Sequence, residues 1–166
     1  MLHKHTTFAL LLLAQLGVTS PAGKPPGTCS PRPHSVVDCI SKQHVEIVTN
    51  TSADFSAAVH PFNTRVPWEP LAVTIPKTAK EVSIAVKCAK TFGVKVAARS
   101  GGHSYGGYDL GGRDGSLVID LLNLHDISLD PATNIASVGP AVRLGNLATE
   151  LFEKGKRGIA FGTCPG

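Results

Sequence analysis

With 166 residues, of which 42% are hydrophobic and 17% charged, the chain has the composition of a folded protein and the length of about one domain, which argues against a disordered polypeptide. Its formal charge of +4 comes from lysines and arginines scattered singly, with no basic stripe interleaved with aromatics, and this argues against a nucleic-acid-binding protein.

The amino terminus begins with His3, Lys4 and His5, continues with an apolar run from Phe8 through Leu16, and then turns to small and turn-forming residues up to Gly23. This pattern predicts a secretory signal peptide over residues 1–22, cleaved near Ala22. The apolar run is shorter than the ~20 residues a bilayer span needs, so no membrane anchor is expected. Secretion would place Cys29, Cys39, Cys88 and Cys164 in an oxidising compartment, where an even count is compatible with two disulfides. It would also give meaning to Asn50-Thr51-Ser52 as a glycosylation sequon on Asn50. Residues 23–33, rich in proline and glycine, read as an extended linker, with the folded part over residues 34–166.

A short helix is predicted over residues 35–43 and a second within 52–62. Residues 71–75 form a β-branched apolar run stopped by Pro76, the pattern of a strand. Thr78 with Glu81 three residues later makes a capping box, and Val82, Ala85, Val86, Ala89 and Phe92 lie on one helical face that ends at Gly93. Residues 94–98 read as a second strand, giving a β–α–β unit that runs directly into a glycine-rich segment. Beyond it, residues 117–121, 126–129 and 135–138 are short apolar runs separated by turn residues and predict an antiparallel meander. Leu144, Leu147, Ala148, Leu151 and Phe152 recur at helical spacing, and Gly155 and Gly158 bracket a turn into a last strand at 159–161. No element follows to cover that strand's edge, so the sequence reads as the front part of a longer protein.

Two motifs bear on chemistry. Gly102-His103-Ser104-Tyr105-Gly106 fits the G-x-S-x-G pattern of a nucleophile elbow, which makes a secreted serine hydrolase with Ser104 as nucleophile one reading. An elbow requires a helix starting at the serine, whereas Gly106, Gly107, Gly111 and Gly112 follow here and disfavour one. The only histidine downstream, His125, stands five residues after Asp120, poor spacing for a triad. No G-x-G-x-x-G fingerprint opens a helix, and neither His103 nor Cys164 has a second ligand at metal-site spacing. The alternative is an anion-binding loop. Ser100-Gly101-Gly102 lets backbone N–H groups approach a diphosphate without Cβ obstruction, while Ser100 and Ser104 add hydroxyls. Arg99 is open to two roles, a positive charge for the ligand or a structural ion pair.

From about Asp38 to Gly166 the chain resembles the berberine-bridge-enzyme-like flavoproteins, and within them the fungal glucooligosaccharide oxidase group. The matching stretches include Pro61-Phe62-Asn63 with Arg65, Ile75-Pro76, Gly93-Val94-Lys95-Val96, Arg99 through Tyr105, Leu110-Gly111-Gly112, Arg143-Leu144-Gly145 and Gly162-Thr163-Cys164-Pro165-Gly166. The resemblance implies an α+β fold, a partial FAD-binding domain of the PCMH/VAO type built from two small α/β subdomains. It implies FAD held bicovalently, through His103 to the flavin 8α-methyl and through Cys164 to C6, with Arg99, Ser100, Gly101, Gly102, Ser104 and Tyr105 in the cofactor-binding loop. It further implies a disulfide between Cys39 and Cys88, against the alternative of a buried free Cys88, and it leaves Cys29 over. The implied activity is oxidation of a sugar or another alcohol with O2 to give H2O2. In the family, the catalytic tyrosine and the substrate domain lie beyond the stretch that matches, so no catalytic residue is assigned and the chain alone is expected to be inactive. A truncated, non-catalytic flavin-binding fragment is the other reading of the same residues.

Overall fold

The computed structural model describes residues 32–164. The expected signal peptide, most of the linker, Cys29 and the closing Pro165-Gly166 lie outside the described residues. Helix α1, Val36–Ser41, starts where Ser35 Oγ accepts the Asp38 N–H at 3.1 Å and the Asp38 carboxylate accepts the His34 N–H at 2.8 Å. Strand β1, Ile47–Thr49, leads to the four-residue helix α2, Phe55–Ala58, and then to β2, Ala72–Thr74. Helix α3, Ala79–Thr91, is capped as expected: Thr78 Oγ1 accepts the Glu81 N–H at 3.2 Å, while Glu81 reaches back to the Lys77 N–H at 2.7 Å. Gly93, with φ +68°, supplies the left-handed residue that ends it.

Strand β3, Val96–Arg99, enters the glycine-rich loop, and β4, Leu117–Asp120, follows it. The four strands form one sheet in the order β1-β2-β4-β3, with β4 parallel to both β2 and β3 and β1 antiparallel at the edge. The β–α–β unit is therefore split, because β4 lies between its two strands. This corrects the meander expected after the loop. All four β4 residues and all three β2 residues are buried, the signature of central strands covered on both faces rather than of a half-exposed hairpin. On one face α1 and α3 pack through Val36, Ile40, Ala85 and Ala89 against Leu117 and Ile119. On the other, Val73 and Val118 meet Leu110, with the half-buried Trp68 alongside. The Cys39–Cys88 disulfide, with Cα atoms 5.8 Å apart, ties α1 to α3 across 49 residues of sequence.

Strands β5, Ile127–Asp130, and β6, Ile135–Val138, form a separate antiparallel pair, and α4, Leu144–Gly155, packs on it through the buried Leu147 and Leu151. The segment 159–161 joins no ladder among the described residues, contrary to the strand expected there, and Ile159 and Phe161 remain exposed. Apolar content makes such a run competent to pair, but only a neighbour with free N–H and C=O groups makes it a strand. Helix α2 is shorter than its sequence window because Pro61 prevents continuation. Strand β1 went unpredicted, its three residues being too few to show a period. No helix of the described residues is long and apolar enough to cross a membrane.

Candidate flavin-binding loop

The candidate site lies where parallel β3 and β4 end together, in the position where open α/β sheets bind ligands. Arg99 and Asp120, the last residues of the two strands, are register partners. Their side chains are nearly buried, at 13% and 9% exposure, and form an ion pair with Nη2–Oδ2 of 2.5 Å and Nε–Oδ2 of 3.1 Å. Arg99 Nη1 also donates to the Ala58 carbonyl at 2.6 Å, while Asp120 Oδ1 accepts the Leu122 N–H at 3.1 Å. The Arg99 guanidinium thus has protein partners on both sides and fastens α2 to the ends of β3 and β4.

The loop that follows is held at several points. Ser100 Oγ donates to the Pro140 carbonyl at 2.5 Å, joining it to the segment that leads into α4. Asn63 Nδ2 donates to the Tyr105 carbonyl at 2.7 Å, and Trp68 Nε1 to the Gly106 carbonyl at 3.4 Å. The exposed Phe62 ring lies 5.3 Å from the ring of His103 and 5.4 Å, edge-on, from that of Tyr105. Gly107 and Gly111, both at positive φ, bracket a 3-10 turn at Tyr108–Leu110 that closes the loop.

Within this frame the backbone donors of Gly101, Gly102, His103, Ser104, Tyr105 and Gly106 meet no acceptor among the described residues. These six N–H groups, with Gly102 at φ +70°, leave donors available to anionic oxygens. It borders a cavity of about 450 Å³ lined by Arg99, Gly101, Gly102, His103, Asp109 and Arg143, among others. Asp109 Oδ1 is buried there without a hydrogen-bond partner. His103 is exposed, as is Cys164, whose thiol is free. The two are not in contact, but Gly162 lies against Leu144 at the start of α4, with 3.8 Å between the place of its absent Cβ and Leu144 Cδ1. The chain therefore passes the same end of α4 just before Cys164. These residues fit FAD: N–H donors for a diphosphate, an imidazole and a thiol open to bond formation, and a groove beside them.

No elbow forms at Ser104. No helix starts there, and its Oγ accepts the Tyr108 N–H at 3.0 Å, so the hydroxyl serves the turn. A larger hollow of about 560 Å³ runs along α4 between His125 and Lys154, but its lysine is engaged by Glu150 at 2.6 Å and by the Ile127 carbonyl at 3.0 Å. Sequence reasoning assigned no site role to Phe62, Asp109 or Arg143. Phe62 and Arg143 fall in stretches quoted for the family resemblance, which is the one signal that marked them.

The profile of the FAD binding domain matches residues 70–165. A xylooligosaccharide oxidase of Thermothelomyces thermophilus is 42% identical over 132 residues, covering 80% of this chain and 27% of that protein. In three dimensions, a xylooligosaccharide oxidase from Myceliophthora thermophila in complex with xylobiose superposes with a TM-score of 0.74 at 42% identity, over 79% of this chain and 28% of the other. A glucooligosaccharide oxidase from Acremonium strictum, studied for its 6-S-cysteinyl, 8α-N1-histidyl FAD, gives a TM-score of 0.74 at 36% identity over 79% and 27%. The chain thus spans little more than a quarter of the relatives it matches. The match of more than half the sequence to one profile, together with a sheet whose parallel strands β3 and β4 open into a glycine-rich loop, places this chain in the FAD-binding domain family of the berberine-bridge-enzyme-like oxidoreductases.

Proposed function

We propose that the chain is the flavin-holding part of a secreted oxidase that converts a sugar or related alcohol to its carbonyl product and O2 to H2O2. The observation that carries this reading is the row of unbonded N–H groups from Gly101 to Gly106, beside the exposed His103, at the mouth of β3 and β4. When bound, FAD would supply the acceptor for the two electrons that leave the alcohol carbon, and O2 would take them up together with two protons. The His103 imidazole and the Cys164 sulfur would be the attachment points for the two cofactor bonds, and neither has a competing hydrogen bond or disulfide among the described residues. The absence of a Cβ at Gly101 makes room for the Arg143 guanidinium beside the loop, and the Arg99–Asp120 pair holds the loop's origin. The Phe62 ring packs beside that of His103. No group of this chain is assigned as the base that takes the substrate's hydroxyl proton.

Secretion, cleavage near Ala22 and a glycan on Asn50 belong to the same reading. Asn50 is exposed, in the turn after β1. The test is the visible spectrum and peptide map of the purified protein after acid denaturation. Flavin remaining on the polypeptide, at both His103 and Cys164, is expected. Flavin on His103 alone would remove the bicovalent assignment, and a colourless chain that takes up no FAD would remove the flavoprotein reading.

A further inference from the structure

We infer that Arg143 is the cation that receives the diphosphate of the cofactor, an inference that rests on the FAD reading above. The cavity beside the loop is lined by two guanidinium groups, Arg99 and Arg143. Arg99 is fully engaged by Asp120 and the Ala58 carbonyl. The Arg143 guanidinium makes no hydrogen bond or ion pair with any described residue, and although Asp109 lines the same cavity it forms no ion pair with Arg143. Arginine stays charged at any working pH.

Its position is specific. Arg143 Nη1 is 2.6 Å from the point where a Cβ on Gly101 would stand, and His103 Nδ1 is 3.1 Å from that same point. The guanidinium therefore occupies the space that any side chain at 101 would fill, beside the residue that starts the row of unbonded N–H groups. It is brought there by backbone, not by a side-chain partner. Arg143 is the extended residue that caps α4, with φ −82° and ψ 147°, and its carbonyl accepts the Leu147 N–H at 3.0 Å. Three residues earlier, the Pro140 carbonyl is bonded to Ser100 on the loop.

The chemistry supplies the remaining step. A glycine nest offers N–H dipoles but no net charge, whereas a diphosphate brings two negative charges. A planar guanidinium can bind two phosphate oxygens at once, which makes an unpaired arginine over such a nest the fitting counterion. Arg143 thus clamps from α4 an anion that the loop cradles from β3.

The experiment uses the whole protein carrying His103→Ala and Cys164→Ala, so that cofactor binding is reversible. Affinities for FAD, ADP and riboflavin are compared with Arg143, Arg143→Gln and Arg143→Lys, and thermal melting verifies the fold of each. Arg143→Gln is expected to weaken FAD and ADP by roughly ten- to a hundredfold while leaving riboflavin, which lacks phosphate, within about twofold. Arg143→Lys should fall between, and the loss on Arg143→Gln should shrink in high salt. An equal loss for riboflavin, or unchanged binding of FAD and ADP by Arg143→Gln, would overturn the assignment while leaving the FAD reading intact. If the parent protein binds neither FAD nor riboflavin, both readings fall.

Discussion

At the scale of single residues, charge and hydrogen bonding separate the two arginines of the cavity. Arg99 forms a nearly buried pair with Asp120, so Arg99→Ala leaves a carboxylate without its partner and is expected to cost about 3–5 kcal/mol of stability in urea unfolding. A loss under about 1 kcal/mol would mean that the pair is effectively solvated and its role is not structural. Asp38 gives a pH signature. Its carboxyl is held below the ordinary value, first by the His34 N–H and then by Lys42. A carboxyl lowered in the folded state stabilises the protein where it is ionised in both states, and that contribution is lost as pH falls through the acid range towards the folded value. Asp38→Asn should flatten the acid side of the stability profile slightly and leave the neutral side lower by the same small amount. An unchanged profile would show that the exposed cap is screened by water.

At the scale of elements, the capped helix was legible because its signals are local. Thr78, Glu81 and Gly93 act within a turn of their own positions, and all three behave in the structure as their spacing implies. Val86, on the same apolar face as Ala85 and Ala89, is 43% exposed, so the core covers less of α3 than its apolar stripe offers. The disulfide between α1 and α3 acts on elements far apart in sequence. Closing a loop of 49 residues restricts the unfolded chain, so Cys39→Ser with Cys88→Ser is expected to lower stability by about 4 kcal/mol. Measuring the double variant against the reduced parent checks this, since the two should unfold at the same denaturant concentration. A reduced parent that stays markedly more stable than the variant would assign the effect to packing of Cys88, which is 4% exposed.

At the scale of the whole molecule, the chain brings together a loop after β3, the carboxyl end of β4 and the cap of α4, three places separated by long stretches of sequence. The sequence by itself determined the glycine-rich loop, the chemical identity of His103 and Cys164, the boundaries of α3 and the family, because each depends on residue types at short spacing. Only the tertiary structure decided that β4 lies between β2 and β3, because a short apolar run is equally suited to a hairpin and to a central parallel strand until its neighbours are placed. It decided between the two roles of Arg99, since a guanidinium pairs with whichever carboxylate the sheet register delivers, and that was Asp120. It also brought Arg143 over Gly101, more than forty residues away in sequence. That approach rests on the packing of α4 and on one bond from Ser100 to Pro140, and neither leaves a periodic mark in the sequence.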